Sequence, residues 1–387
     1  MKRTVLMLAA LGVFLFAQAA QADWAPAKRL TWNSGQSKNP AIAADTASNI
    51  YVVWQDDTPG NGEIYYRKSD DGGVTWFPVN RLTWTAGEST APAIAISSAD
   101  TIHIVWSDNA PGNYEIYYKK SPDGGASWSG AKRLTWTSGN SSGPAMAKDL
   151  NNNIHIIWQD DTPGNYEIYH KKSTDGGATW SGAKRLTSTS GNSWHPAITT
   201  YAGNAIHVAW HDETPGLAEI YYMGSTDGGA TWSAAKRLSW NSAESYDPAI
   251  SIDSANDMHV LWSDDTPGNY EILYRRSENG GINWNPTQRL TWNADGSYEP
   301  AMAIDLKDAV HLVWDQGPQS NTEIYYKKST DRGATWSAAH RLTWTSLHSY
   351  GPAIAIESPD IHDYVHLVWW DDTPGNFEIY YKTQVKN

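Results

Sequence analysis

Asp247 and Glu299 stand 52 residues apart, each preceded by a tyrosine and followed by a proline. Two carboxyl groups that converge on one cleft can act as acid and base, or acid and nucleophile, on a glycosidic bond. Trp194-His195 precedes Pro196 in the same way, and Tyr350-Gly351 precedes Pro352. Tyr246 and Tyr298 complete a run of four such sites, each with an aromatic ring and three with an ionisable neighbour. Aromatic faces beside converging polar groups suit ligand binding. Trp194, His195, Tyr246, Asp247, Tyr298, Glu299 and Tyr350 are therefore candidate ligand-binding residues. Asp247, Glu299 and His195 are the catalytic candidates if the chain turns over a substrate.

A second set of aromatic residues recurs at Trp32, Trp84, Trp136, Trp240, Trp292 and Trp344, with Ser188 in the fourth position. Acidic pairs such as Asp56-Asp57, Asp160-Asp161 and Asp264-Asp265 recur in other loops. Indole faces stack on the C–H faces of sugars while carboxylates accept hydroxyl hydrogens, so Trp84, Trp136, Trp240 and Trp292 join the candidate binding set. The competing expectation is that these indoles pack between structural units and that the acids form turns.

All these positions belong to a repeat. Arg-Leu pairs begin at Arg29, Arg81, Arg133, Arg185, Arg237, Arg289 and Arg341, each 52 residues after the last. Prolines from Pro40 to Pro352 keep that interval, as does a tryptophan series from Trp54 that gains three residues at its final step, Trp369. Internal repetition of this period points to one array rather than several domains.

The third unit shows what each copy builds. Pro144–Ala147 reads as a first strand and Asn153–Asp160 as a second, alternating Ile154, Ile156 and Trp158 on one side. Thr162-Pro163-Gly164-Asn165 has the residues of a type II turn. Glu167–Lys172 returns as a third strand and Ala183–Thr187 forms a fourth. The fold class expected is all-β: a seven-bladed β-propeller of four-stranded antiparallel blades, spanning residues 23–387. Trp24 precedes Arg29 as Trp76 precedes Arg81, so the chain opens on a lone fourth strand. The last unit stops after a third strand, Glu378–Lys382, and the two fragments are expected to close the ring together.

Within the repeat, Glu63 and its equivalents open each third strand and are expected to pair with Arg81 and its equivalents across strands. His103, His155, His207, His259, His311 and His366 recur once per unit, with Tyr51 in the first. Distributed in this way they do not make a metal site, which needs three or four converging ligands. No metal and no cofactor is expected, and buried, hydrogen-bonded imidazole is the assigned role.

Between the third and fourth strands the chain reads Ser-x-Asp-x-Gly-x-x-Trp, as in Ser69-Asp71-Gly73-Trp76. The Asp and Trp recur at Asp123 and Trp128, Asp175 and Trp180, Asp227 and Trp232, and Asp331 and Trp336; Asn279 replaces the Asp once. Asp can bond the N–H groups of its own turn, Gly allows positive φ, and Trp anchors the turn. These copies resemble the Asp-box, or BNR, repeat of sialidase-like β-propellers, and the resemblance covers the chain from Asp23 onward. It implies that the Asp-box residues are structural and lie on the face away from any ligand. Sialidases of that family are six-bladed and use an arginine triad, a Tyr–Glu pair and an Asp. All twelve arginines here fall in the leading segment, on strands or in an Asp box, and an early Arg-Ile-Pro is missing, since Leu30-Thr31 follows Arg29. The resemblance therefore does not carry sialidase activity over to this chain.

Composition narrows the partners. Lys and Arg number 29 against 42 Asp and Glu, which argues against nucleic acid or anionic lipid. With no cysteine, disulfides, thiolate metal sites and thiol nucleophiles are excluded. Lys2 and Arg3, the apolar run Val5–Ala17 and the ending Ala20-Gln21-Ala22 form a secretory signal over residues 1–22, too short for a membrane span. The expected protein is exported to the periplasm or beyond and lacks a membrane span. It is expected to be a non-catalytic, multivalent carbohydrate-binding module. A glycoside hydrolase using the carboxylates above is the enzymatic alternative. A scaffold for an extracellular or envelope protein is the third.

Overall fold

Each 52-residue unit folds into a twisted sheet of four antiparallel strands, and seven such sheets are arranged in a ring in the computed structural model. The structure describes residues 23–97, 100–240, 242–318, 320–358 and 363–385. The expected secretory signal lies outside these residues. Among the described residues the single helical element is a 3-10 turn, Ala202–Asn204, and no helix is long and apolar enough to cross a membrane.

The third blade runs Ser141–Lys148, Ile154–Asp160, Glu167–Ser173 and Lys184–Arg185 in spatial order. The outer strand is thus only two residues long, shorter than the alternation predicts, because Leu186 and Thr187 already turn inward. Thr187 Oγ1 accepts the N–H of Ile168 at 2.8 Å, so a side chain continues the ladder that the backbone leaves. The connecting turn closes one residue earlier than its Pro-Gly pattern predicts. Gly164 N donates to Asp161 O at 2.9 Å, and Gly164 takes φ +107° after the bond is made.

Ring closure follows the expected exchange. Lys28 and Arg29 pair with Tyr381 and Tyr380, and Asp23 and Trp24 pair with Val385 and Gln384. The seventh blade takes its outer strand from the other end of the chain, which covers the edge of its third strand as in the other blades.

The core lies between the blades. Tyr51, Val53, Ile64 and Tyr66 of the first blade pack against Ile102, Ile104 and Trp106 of the second, and the same layer recurs around the ring. Trp54, Trp106, Trp158, Trp210, Trp262, Trp314 and Trp369 are almost wholly buried. Burying one indole removes about 200 Å² from water, worth about 5 kcal/mol before ordering costs. Each Asp-box tryptophan also joins two blades: Trp76 meets Tyr381 edge-on at 5.0 Å, and Trp128 meets Tyr66 at 5.1 Å. Gly73 sits under this contact, where a Cβ would fall 2.0 Å from the Tyr381 hydroxyl, so only glycine fits.

The repeated polar residues make the same contacts from blade to blade. Asp71 accepts Thr75 N at 2.8 Å and Thr75 Oγ1 at 2.6 Å, and Ser69 Oγ accepts Gly73 N at 2.9 Å. Arg81 Nη2 meets Glu63 Oε1 at 2.8 Å. His103, His207, His259, His311 and His366 each place Nδ1 2.7 or 2.8 Å from a tyrosine hydroxyl. In the third blade His170 replaces that tyrosine and stacks on His155.

Candidate functional site

The inner strand of every blade begins with an irregularity that turns one residue towards the central channel. Register shifts between Trp194 and Ala197, between Tyr246 and Ala249, and at the five equivalent points. The residue before each inner proline has positive φ: 51° at Asn39, 49° at Ala91, 59° at Gly143, 47° at His195, 52° at Asp247, 47° at Glu299 and 54° at Gly351. A residue before proline ordinarily prefers extended φ near −120°, so each non-glycine here holds backbone strain. Bulges of this kind re-aim side chains at functional sites.

Four of these bulges form one side of the channel mouth. His195, Asp247, Glu299 and Gly351, with the prolines that follow them, line a cavity of about 340 Å³. His195 Nδ1 lies 2.5 Å from Asp247 Oδ1. His195 N donates to Gln159 Oε1 at 2.8 Å, which fixes the bulge. Below it stands His211, paired in register with Trp194 and meeting the His195 ring edge-on at 5.2 Å. Asp315 is buried beneath Glu299, opposite Tyr298 in register.

The cluster splits its carboxylates electrostatically. Protein atoms surround Glu299, although its carboxyl faces the channel. That crowding and the neighbouring Asp247 charge push its pKa up to about 7. Burial acts the same way on Asp247, but the bond to His195 and the imidazolium charge outweigh it and hold that carboxyl below its usual range. Burial, then repulsion from Glu299, raises Asp315 well above the carboxylate range. The protein atoms crowded around His195, which is solvent-exposed at the channel mouth, take away some of its basicity, but the bond to Asp247 and its charge give back more, so its pKa rises. Burial and the His195 charge lower His211 to about 4. Two carboxyl groups of opposite protonation preference beside an imidazole form a set able to donate and accept protons at neutral pH. His195, His211 and Asp247 also each offer an atom within 4.8 Å of the other two, a spacing compatible with a cation.

Trp194, Tyr246, Tyr298 and Tyr350 stand one residue earlier and do not line the cavity. They are half-buried and pack on neighbouring rings: Trp194 and Tyr298 meet Tyr166 and Tyr270 of the preceding blade at 3.9 and 5.2 Å, while Tyr246 meets His211 of the preceding blade edge-on at 5.0 Å and Tyr270 of its own blade at 6.3 Å. Tyr350 lies between His348 and Trp370. The structure therefore brings the ionisable residues together and sets their aromatic neighbours behind them as walls. His211 and Asp315 escaped the sequence reading. Both directly follow a repeated second-strand tryptophan, where Gln55, Ser107 and Gln159 stand in the first three blades, and this break in the repeat was the available signal.

Trp84, Trp136, Trp240 and Trp292, with Trp32 and Trp344, occupy a separate place. Each follows the short outer strand, at the rim of the face onto which the channel mouth opens, and is 64% to 69% exposed. A cation from the next blade stacks on it: Lys119 Nζ lies 5.7 Å from the Trp84 ring, and Arg275 Cζ lies 5.6 Å from Trp240. The same Lys119 donates to Leu82 O at 2.7 Å. After the outer strand of the third blade Ser188 replaces the indole, and the residue of the fourth blade equivalent to Lys119 is Met223. The acidic loop pairs, by contrast, serve turns. Asp56 Oδ2 accepts Ser37 Oγ at 2.7 Å, and Asp57 Oδ1 accepts Gln36 N at 2.5 Å.

All eleven described arginines are committed away from the channel mouth. Seven pair with the repeated glutamates, as in Arg29–Glu378 and Arg341–Glu323. Arg67 and Arg275 bond Leu30 O and Leu238 O, Arg276 meets Asp257, and Arg332 meets Asp308.

No curated protein sequence matches the chain. Among solved structures, a Dyadobacter fermentans protein of unknown function is similar at TM-score 0.59 and 12% identity, covering 93% of this chain and 99% of that one. The Ruminococcus gnavus intramolecular trans-sialidase is similar at TM-score 0.53 and 12% identity, covering 92% and 97%. The Penicillium chrysogenum α-L-arabinanase is similar at TM-score 0.54 and 13% identity, covering 76% and 92%. At these identities the likeness concerns the fold. The model of the BNR repeat-like domain matches residues 88–298, more than half of the sequence, and the chain belongs to that family.

Proposed function

We propose that this protein is an exported, multivalent carbohydrate-binding propeller whose sites are the six rim tryptophans. The observation that carries the proposal is their uniform exposure, 64% to 69%, on cationic supports repeated around one rim. A flat, exposed indole face matches the C–H face of a pyranose. The joint loss of indole and cation at Ser188 and Met223 supports treating the two as one unit. Repetition at fixed spacing favours avidity, in which weak single sites are linked. Two structural neighbours are, by name, a trans-sialidase and an arabinanase, which supports a glycan as the ligand class.

Glycan arrays probed with the mature chain test the reading. Binding is expected for the native protein and a stepwise loss across Trp84→Ala, the double variant with Trp136→Ala, and the triple variant with Trp292→Ala. Binding that is absent from neutral and acidic glycans alike, or that survives the triple substitution unchanged, rejects it.

One observation favours a second reading, glycoside hydrolysis at the channel mouth: Glu299 is raised to about 7 beside an Asp247 that stays ionised. An acid and a base so divided are what such hydrolysis uses. Turnover of aryl glycosides or polysaccharides that Glu299→Gln abolishes would support it; no turnover across a broad panel removes it.

A further inference from the structure

His195, His211 and Asp247 come from two neighbouring blades and meet at one point. His195 and Asp247 occupy adjacent inner-strand bulges, while His211 rises from the second strand beneath His195. Among the described residues they are the one group of three or more His, Asp or Glu side chains with mutually converging ligand atoms, all within 4.8 Å.

His211 supplies an independent indication. It is 3% exposed, and its Nδ1 is buried with no hydrogen-bond partner. Five of the six repeated histidines four residues before this position satisfy Nδ1 with a tyrosine hydroxyl, as His207 does with Tyr222 at 2.8 Å, and the sixth, His155, with His170. A buried polar atom left unpaired costs about 1–3 kcal/mol, so a residue kept in this state beside two potential ligands is arranged for a partner.

We propose that His195, His211 and Asp247 bind one divalent transition-metal ion, with zinc the best match. Two imidazoles and one carboxylate form the donor set of zinc sites that keep a fourth position open, whereas magnesium and calcium favour all-oxygen shells. His195 and Asp247 line the channel-mouth cavity together with Glu299, and no lysine or arginine is among its lining residues. The 2.5 Å separation of His195 Nδ1 and Asp247 Oδ1 is that of a hydrogen bond with one proton between the two atoms. Zinc ligands about 2.0–2.2 Å from the ion in a tetrahedron lie roughly 3.4 Å apart. The ion therefore takes the place of that proton as the pair opens by about 1 Å. The His195 side chain, 57% exposed, is free to make that movement. The site lies apart from the rim tryptophans and does not depend on their role.

Titrating the chelator-stripped mature chain with zinc chloride in a calorimeter tests the assignment. One site per chain is expected, weakened at least about tenfold by His195→Ala, His211→Ala or Asp247→Asn. His340→Ala, on the outer strand of the sixth blade, serves as the control and should bind as the native chain does. Circular dichroism verifies each fold; His195 is exposed, so its variant carries the test even if His211→Ala misfolds. No saturable zinc binding, binding unchanged in His195→Ala and Asp247→Asn, or tighter binding of calcium or magnesium than of zinc overturns the proposal. Because the probe is the metal alone, failure here leaves the glycan-array result standing, and the converse holds.

Discussion

Arg29 Nη2 lies 2.8 Å from Glu378 Oε1, joining residues 349 positions apart in the chain. The glutamate is fully buried, and Asn376 Nδ2 and the N–H of Asn33 also donate to the same oxygen. The same pair recurs within the other six blades, but only here does it hold a chain end. Removing the cation leaves a buried carboxylate short of its partner, a change that costs about 3–5 kcal/mol. Arg29→Ala and Arg133→Ala should therefore lose similar contact energy yet behave differently. In the second blade the outer strand stays covalently held on both sides, whereas at the seam the N-terminal strand can peel away. Urea unfolding and limited proteolysis should show Arg29→Ala cleaved faster near its N-terminus, with Arg133→Ala cut no faster than its stability loss requires. Equal proteolysis of the two would mean that closure does not depend on this pair.

The rim offers a gain-of-function test. Ser188 is exposed, and Arg185 stands three residues before it as Arg81 stands before Trp84. Ser188→Trp with Met223→Lys rebuilds the unit seen at Trp84 and Lys119. The double variant should raise glycan avidity by completing the ring, while Ser188→Trp alone, without the stacked cation, gains less. Surface plasmon resonance on immobilised glycan reads the difference. A double variant no better than the native chain would show that the rim indoles do not act as repeated sites.

How far the sequence reveals this molecule depends on whether a residue follows the repeat. Arg81 with Glu63, the burial of His103 and its equivalents, and the Asp-box turns were legible because seven copies expose one solution to one packing problem. The exposure of Trp84 was not, since an indole between blades and one on a rim recur with the same period; only the length of the outer strand, two residues, decides. The partners of His195 were hidden for a different reason. Its aromatic neighbour Trp194 points to the opposite side of the strand, and His211 reaches it only because a bulge with positive φ turns the inner strand.

That bulge makes a stability prediction of its own. Ala91 holds φ at 49° before Pro92, in a conformation that costs a residue with a Cβ roughly 1–2 kcal/mol. Ala91→Gly relieves the strain but adds freedom to the unfolded chain, which returns about 0.5–1 kcal/mol. The net expectation is a rise of up to about 1 kcal/mol in urea stability with no change in the transition's slope. His195→Gly should gain similarly from its φ of 47° while losing the site, so stability and binding move in opposite directions there. A loss of stability in Ala91→Gly would mean that its methyl packs well enough to outweigh the strain.

Acid should loosen the ring in two separable steps. Burial holds His103 and His207 near 4 and His170 near 3, with neighbouring lysine charges adding to the effect at His103 and the His155 charge at His170. In the unfolded chain each titrates near 6.5. Between about 4 and 6.5 the unfolded state therefore holds more protons than the folded one, and stability rises with pH across that window. Read downward, stability is intact above about 6.5 and falls as pH drops towards 4, by on the order of 3 kcal/mol for a histidine shifted as His207 is. The Asp boxes act lower. Hydroxyl and N–H bonds from Ser127, Thr179, Thr231 and Thr335 hold Asp123, Asp175, Asp227 and Asp331 near 2, so their contribution is lost only as pH falls from about 4 towards 2. Urea midpoints measured from pH 8 to pH 3 should show the upper step first. His207→Gln, which keeps a hydrogen-bonding group for Tyr222, should flatten that step without moving the lower one. A midpoint constant from pH 7 to pH 4 would show that these imidazoles are not held neutral by their burial between the blades.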